Sequence, residues 1–305
     1  MCNGYFENRV KNQQKPTNFK KIPDQKFEYK SRYSMTEQTQ LVDVKQWIKT
    51  RSSLDSNQSN FLTWTGNIYS FIPGEKRKLL FKMVGMSVSR CIQNTERSWD
   101  FTSRELTYYL NPETKEILHK WQNPWNQEIL TVMHVANSPV QGKFKDKLPV
   151  ELEGEKTNFV FDIFPNYVNP LAENSKFTDY CPGKIYQAAE LFKISVATAD
   201  LENPELNSVT ELSLSWDRIG PWLPWMKMGE SPGYLIYSAI GKKVSGLQAL
   251  HPILQQEINN RVPLYKEAPK TYIEGEDMTS WLYFQKHFSA YLAGEIFPIP
   301  TPEAV

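Results

Sequence analysis

Between Phe61 and Ala136 the chain repeats one pattern: a run rich in aromatic and β-branched residues, a short turn, then another such run. "FLTWTGNIYSFI" passes through "PGEKRK" into "LLFKMVGMSVSRCI". "WDFTSRELTYYL" passes through "NPETKE" into "ILHKW", and "QNPWNQE" leads on to "ILTVMHVA". Side chains of this kind suit a pleated, half-buried surface. Strands joined by turns this short pair antiparallel. The Asn-Pro of "NPETKE" fits a type I turn. The pattern resumes in "NFVFDIF", "KIYQAAELFKISVATA", "VTELSLSWDRI" and "GYLIYSAIG". Between the two blocks, Ser138 to Thr157 is rich in Lys, Glu and Gly and reads as a surface loop.

Helical spacing is confined to the ends. "LQALHPILQQEINN" and "MTSWLYFQKHFSAYLAG" carry apolar residues three and four apart, with Thr279 or Ser280 as a cap and Gly294 as a stop. "MTEQTQLVDVKQWIKTRSSL" predicts a short helix capped at Thr36 and ending near Thr50. Strands in succession followed by helices define an α+β, mainly β domain over residues 35–298. The expected form is a large curved antiparallel sheet or barrel, a calycin-like meander, with the C-terminal helices packed on it; a two-sheet sandwich is the alternative. Residues 1–34 are rich in Asn, Gln and Lys and read as a mobile basic tail, with Met35 as an alternative start; residues 299–305 form a second tail.

Composition removes several function classes. Lys plus Arg is 35 against 34 Asp plus Glu, without the basic excess that phosphate neutralisation demands, so no nucleic-acid partner is expected. The three cysteines, Cys2, Cys91 and Cys181, form no CxxC pair, which argues against a disulfide framework or a structural zinc. With no export signal at the N-terminus, a cytoplasmic location is expected. No apolar run reaches the length of a membrane span. No nucleophile elbow, P-loop or dinucleotide fingerprint stands in a suitable strand–turn–helix setting, so no cofactor and no metal are expected.

Period-two reading places charges on apolar faces. Arg218 continues the face of Leu212, Leu214 and Trp216. Arg90 shares a side with Val84, Met86 and Val88, and Glu190 with Tyr186, Ala188 and Phe192. Arg104 aligns with Leu106 and Tyr108, and Glu105 with Phe101 and Tyr109. A buried charge must find a partner, water or a ligand, because isolated burial costs several kcal/mol. If the inward faces converge, these groups form a polar floor, and arginine's planar fork suits a carboxylate, phosphate or enolate oxygen. Paired Arg and Glu that merely tie strands together are the competing reading. His134, in "TVMHVAN", is a second candidate base or a packed core residue. "WDRIGPWLPWMKMG" adds Trp216, Trp222, Trp225, Met226 and Met228, as pocket lining or as core plug.

The segments "SRELTYYLNPETKEILHKWQNPWNQE", "MHVANSPV", "WDRIGPWLPWMKMGESPG", "VPLYKEAP" and "TSWLYF" resemble, in this order over roughly residues 60–285, the family known as domain of unknown function 1838, found in bacteria and fungi. The stretch from "MTEQ" to "SFIPGEKRK" resembles cyanobacterial members. Some members carry export signals, which this N-terminus lacks. The resemblance implies the identity of the domain and no reaction.

The residues themselves suggest a pocket for a small, largely apolar molecule bearing an anionic or carbonyl oxygen. Arg90 and Arg218, with Tyr108 and the Trp and Met residues, would bind it. His134, Glu190, Glu105 and Arg104 would supply acid/base chemistry such as isomerisation, cyclisation, dehydration or hydrolysis. A non-catalytic carrier of a lipid, pigment or terpenoid, and an interaction module using the Trp-rich loop, are the alternatives.

Overall fold

The computed structural model describes residues 39–95 and 98–300. The tail expected over residues 1–34, the start at Met35 and residues 301–305 lie outside the described residues. The chain runs β1 (Thr39–Asp43), α1 (Val44–Arg51), β2 (Asn60–Phe71), β3 (Lys78–Thr95), β4 (Ser98–Leu110), β5 (Lys120–Gln122), β6 (Ile129–Thr131) and β7 (Val135–Lys145). It continues with β8 (Lys147–Glu153), β9 (Lys156–Ile163), β10 (Asn166–Val168), β11 (Ile185–Gln187), β12 (Ala189–Ala197), α2 (Thr198–Glu202), β13 (Ser213–Gly220) and β14 (Tyr234–Val244). Three helices close it: α3 (Pro252–Asn260), α4 (Ser280–Lys286) and α5 (Phe288–Leu292).

Ten strands form one antiparallel sheet in the order β1-β8-β9-β12-β13-β14-β2-β3-β4-β7. Two small ribbons, β5–β6 and β10–β11, stand beside it. The sheet is a large, strongly curved half-barrel. Its curvature shows in one proximity: the Tyr109 phenol on β4 and the Tyr237 phenol on β14 lie close enough to influence each other's ionisation, although β2 and β3 lie between them. β7 runs into β8 through the single residue Asp146, at φ 60°, but among the described residues no ladder joins the two strands. β1 pairs with β8 instead, from Thr39↔Glu151 to Asp43↔Lys147. That pairing occupies the edge that closure of the barrel would need.

Two expectations are corrected here. The helix predicted from Thr36 begins only at Val44, capped by Asp43, whose carboxylate accepts from the Lys45 amide. Residues 39–43 are drawn into edge pairing. The supposed loop from Ser138 to Thr157 is mostly strand, filling β7, β8 and the start of β9. Its polar composition reflects partly exposed strands near the sheet edges, where one face meets water. The turns are as predicted: Asn111 Oδ1 accepts from the Glu113 and Thr114 amides, and Asn123 Oδ1 from the Trp125 amide. Thr279 caps α4 by accepting from the Leu282 amide, and Gly294 stops α5 at φ 75°.

Strands β3 and β4 are buried on both faces, which decides where the site can be. Their convex side carries Val84, Met86, Val88, Leu106 and Tyr108. Together with Leu254 and Ile258 of α3 and Val262 and Tyr265 of the following turn, they form one apolar cluster. Both ends of the concave side are plugged. At one end Trp47 of α1 packs on Phe159, ring centroids 5.1 Å apart, and on Phe161 at 5.6 Å. At the other, Trp225 packs on Phe81, Tyr109 and Trp121 at 5.7–5.8 Å.

Candidate functional site

The concave face between those plugs holds a band of partly exposed rings. Phe161 stacks on Phe192 with centroids 4.8 Å apart, and Phe192 on Trp216 at 6.3 Å. Trp64 meets Trp216 edge-on at 6.4 Å. Strand alternation aims each inward, from β9, β12, β13 and β2. Trp64 lies flat over Gly85, where a Cβ would stand 2.3 Å from its Nε1.

Arg218 sits at the edge of this band. Its Nε is 3.6 Å from Glu190 Oε1, its Nη2 donates to the Tyr186 hydroxyl at 2.9 Å, and its Cζ lies 4.9 Å from the Tyr237 ring centroid. Glu190 also accepts from Trp216 Nε1 at 3.2 Å. Burial opposes the Arg218 charge, but Tyr186, Tyr237 and Glu190 outweigh it and hold the pKa above its ordinary value. Gly220 makes room: a Cβ there would fall 2.6 Å from Nη2. Within the ring band Arg218 Nη1 and Trp64 Nε1 are buried without a partner, as are the indole N–H groups of Trp47, Trp99 and Trp225 in the packed ends of this side.

Glu105 faces the same hollow from β4. Burial raises its pKa, Arg51 and the Asn137 amide at 3.3 Å counteract, and the Glu190 charge adds to the rise. Arg51, at the end of α1, reaches in to Ser87 Oγ at 3.0 Å and over the Phe101 ring at 4.9 Å. Two carboxylates and two guanidinium groups therefore share one aromatic, water-accessible concavity.

The other expected residues are elsewhere. Arg90, Arg104 and Tyr108 project from the convex faces of β3 and β4. Arg104 bonds Ser138 Oγ and the Glu267 carbonyl. Tyr108 donates to Glu257 Oε2 at 2.9 Å, which also takes Arg261 Nη1 at 2.7 Å. His134 is packed between Tyr108 and Tyr109, its Nδ1 accepting from the Tyr109 amide at 3.1 Å. Burial, with His119 and Arg261 nearby, pushes its pKa down to about 3. Trp222, Trp225, Met226 and Met228 are buried in the apolar cluster. Trp225 forms the floor beneath Tyr109, and Trp222 is tied to the Ser231 carbonyl. The loop is a plug, one layer behind the polar groups.

Sequence reasoning grouped Arg90 with Arg218 because both follow apolar faces, but on β3 both faces are apolar. It passed over Trp64, Tyr186 and Tyr237, although alternation carried the signal: Tyr186 shares a face with Glu190. Nothing local marks Arg51, which arrives from a helix end. Among the described residues no group of three or more His, Cys, Asp or Glu is placed to hold a metal ion, and no helix is long and apolar enough to cross a membrane.

Residues 57–288 match the family described as a protein of unknown function, DUF1838. The chain belongs to that family. The match takes in every strand from β2 to β14 and therefore the whole aromatic band, with Arg218, Glu190 and Glu105; Arg51 lies just before it. Comparison with curated proteins finds no match. As a member of DUF1838, the chain supplies a curved half-barrel of a shape compatible with ligand binding.

Proposed function

We propose that the concave face binds a small, largely apolar organic molecule through a carbonyl or anionic oxygen. The observation that carries the proposal is the pair of buried, unpartnered donors, Arg218 Nη1 and Trp64 Nε1, among partly exposed aromatic rings. A buried N–H without an acceptor costs about 1–3 kcal/mol, and a ligand oxygen relieves that cost. The rings offer apolar area and the polar groups fix orientation, the usual division of labour in small-molecule pockets.

The chemistry this set supports is cofactor-independent proton transfer. Glu105, with its pKa raised, is the proton carrier. Arg218 and Trp64 hydrogen-bond the oxygen on which charge develops, as an oxyanion site does. Isomerisation, cyclisation, dehydration and hydrolysis are the reaction types within reach.

The test is native mass spectrometry of protein purified from its host, repeated for Arg218→Gln and Trp64→Phe. A co-purifying small molecule that the two variants lose supports the reading. A protein that arrives empty, and binds none of a panel of apolar ketones and carboxylic acids, would sink it. Glu105→Gln then separates catalysis from carriage: a catalyst retains the molecule unconverted, and a carrier behaves as wild type.

A further inference from the structure

On the convex side, where β3 ends, lies a cleft of about 670 Å³ lined by Ser56, Asn57, Ser59, Arg90, Ile92, Lys266, Glu267 and Lys270. It is separate from the concave band, because Arg90 points to the opposite face of β3 from Ser87 and Ser89. Its walls are tied together. Ser59 Oγ accepts from the Ala268 amide at 3.2 Å and from Arg90 Nη2 at 3.2 Å. Thr102 Oγ1 donates to the Pro269 carbonyl at 2.8 Å, pinning the 266–270 segment on β4. Arg90 Nη1 donates to the Ser56 carbonyl.

Arg90 is only 7% exposed, and its Nε is buried with no hydrogen-bond partner. Among the described residues no ion pair engages Arg90, Lys266 or Lys270. A guanidinium this enclosed, held by neutral oxygens alone, leaves its charge uncompensated, an expensive arrangement unless an anion completes it. Three cations face the cleft against the one carboxylate of Glu267. The hydroxyls of Ser56 and Ser59 and the amide of Asn57 add neutral donors from a second wall.

We propose that this cleft is an oxyanion site for a small phosphorylated molecule. Arg90, two lysines and the 56–59 turn line the cleft from more than one wall. That suits a tetrahedral group with three charged oxygens better than a planar carboxylate. The volume exceeds that of phosphate alone, and Ile92 supplies an apolar wall for the rest of the molecule. Near-zero net charge speaks against a nucleic-acid backbone as the source of the phosphate.

Isothermal titration at constant ionic strength, with inorganic phosphate, glucose 6-phosphate and glucose as probes, tests the assignment. Saturable binding of glucose 6-phosphate and of phosphate, with none of glucose, is expected. The double variant Lys266→Gln/Lys270→Gln changes exposed side chains and keeps the fold; it is expected to weaken binding at least tenfold. Arg90→Gln is expected to weaken it further. Trp216→Ala, in the concave band, is expected to leave it unchanged. No saturable binding of either phosphate probe, binding that the lysine variant leaves intact, or binding lost in Trp216→Ala would each overturn the proposal.

Discussion

Strands β3 and β4 present two buried faces, and the two are finished differently. On the convex face under α3, Tyr108 gives its proton to Glu257, and Glu257 also takes Arg261. On the concave face the charges are only partly answered. Arg218 keeps a free Nη1, the Trp64 indole N–H has no acceptor, and the rings around them keep contact with water. Burial alone therefore does not mark a functional site. Donors left over in a partly open aromatic concavity carry the proposed site, because there a further molecule can reach them and relieve their cost.

Five substitutions break or sharpen that contrast. The largest effect is expected at the floor of the concave side: Trp225→Ala removes a ring only 2% exposed and should cost about 3–5 kcal/mol in urea unfolding. On the convex side, Glu257→Ala strands Tyr108 and Arg261. The loss should be about 2–3 kcal/mol, discounted for the partial exposure of Arg261, with ligand retention on the concave face unchanged. Gly220→Ala drives a methyl into the Arg218 guanidinium and should cost about 1–2 kcal/mol. It should also release bound molecule, whereas equal retention would show that the guanidinium position is unimportant.

A smaller effect depends on pH. Lys243 is buried at the end of α1, donating to the carbonyls of Lys49, Thr50 and Ser52 and to Ser208 Oγ. Burial and the Arg51 charge push its pKa down to about 7 from 10.5. Between those values the unfolded chain holds a proton that the folded chain has released. Wild type should therefore gain stability relative to Lys243→Met as pH rises from 7 towards 10, by at most about 1.4 kcal/mol per pH unit. Unfolding midpoints of both proteins at pH 7 and 9 check the sign. The smallest change in stability, about 1 kcal/mol, is expected for Arg218→Lys, which keeps a positive charge beside Glu190 but loses the planar guanidinium fork. Its concave site should nonetheless lose its ligand. Loss of concave binding with little loss of stability is thus expected at Arg218, and loss of stability with concave binding intact at Glu257.

Much of this was legible in the residues. Alternation identified most of the strands, put Arg218 with Trp216 and Glu190 with Phe192, and set Arg104 and Glu105 on opposite sides of β4. Asn-Pro turns and the Thr279 cap follow from local hydrogen bonding, so they were readable too. The polar strands from Ser138 to Thr157 were missed because their side chains look like loop side chains. What makes them strands is backbone pairing at the sheet's end, which composition does not report.

The sequence by itself determined which side chains lie on the same side of each strand, because a pleat has period two. It also determined where strands stop, because prolines, glycines and Asn-Pro turns limit the backbone. Only the tertiary structure decided which side of β3 and β4 is concave. Alternation signals burial without naming what does the burying, and here helices bury one side and the curled sheet the other. That single choice sends Arg90, Arg104 and Tyr108 outward and brings Glu105 into the hollow of Arg218, Glu190 and Trp64. It also draws in Arg51 from a helix whose sequence gives no hint of the meeting.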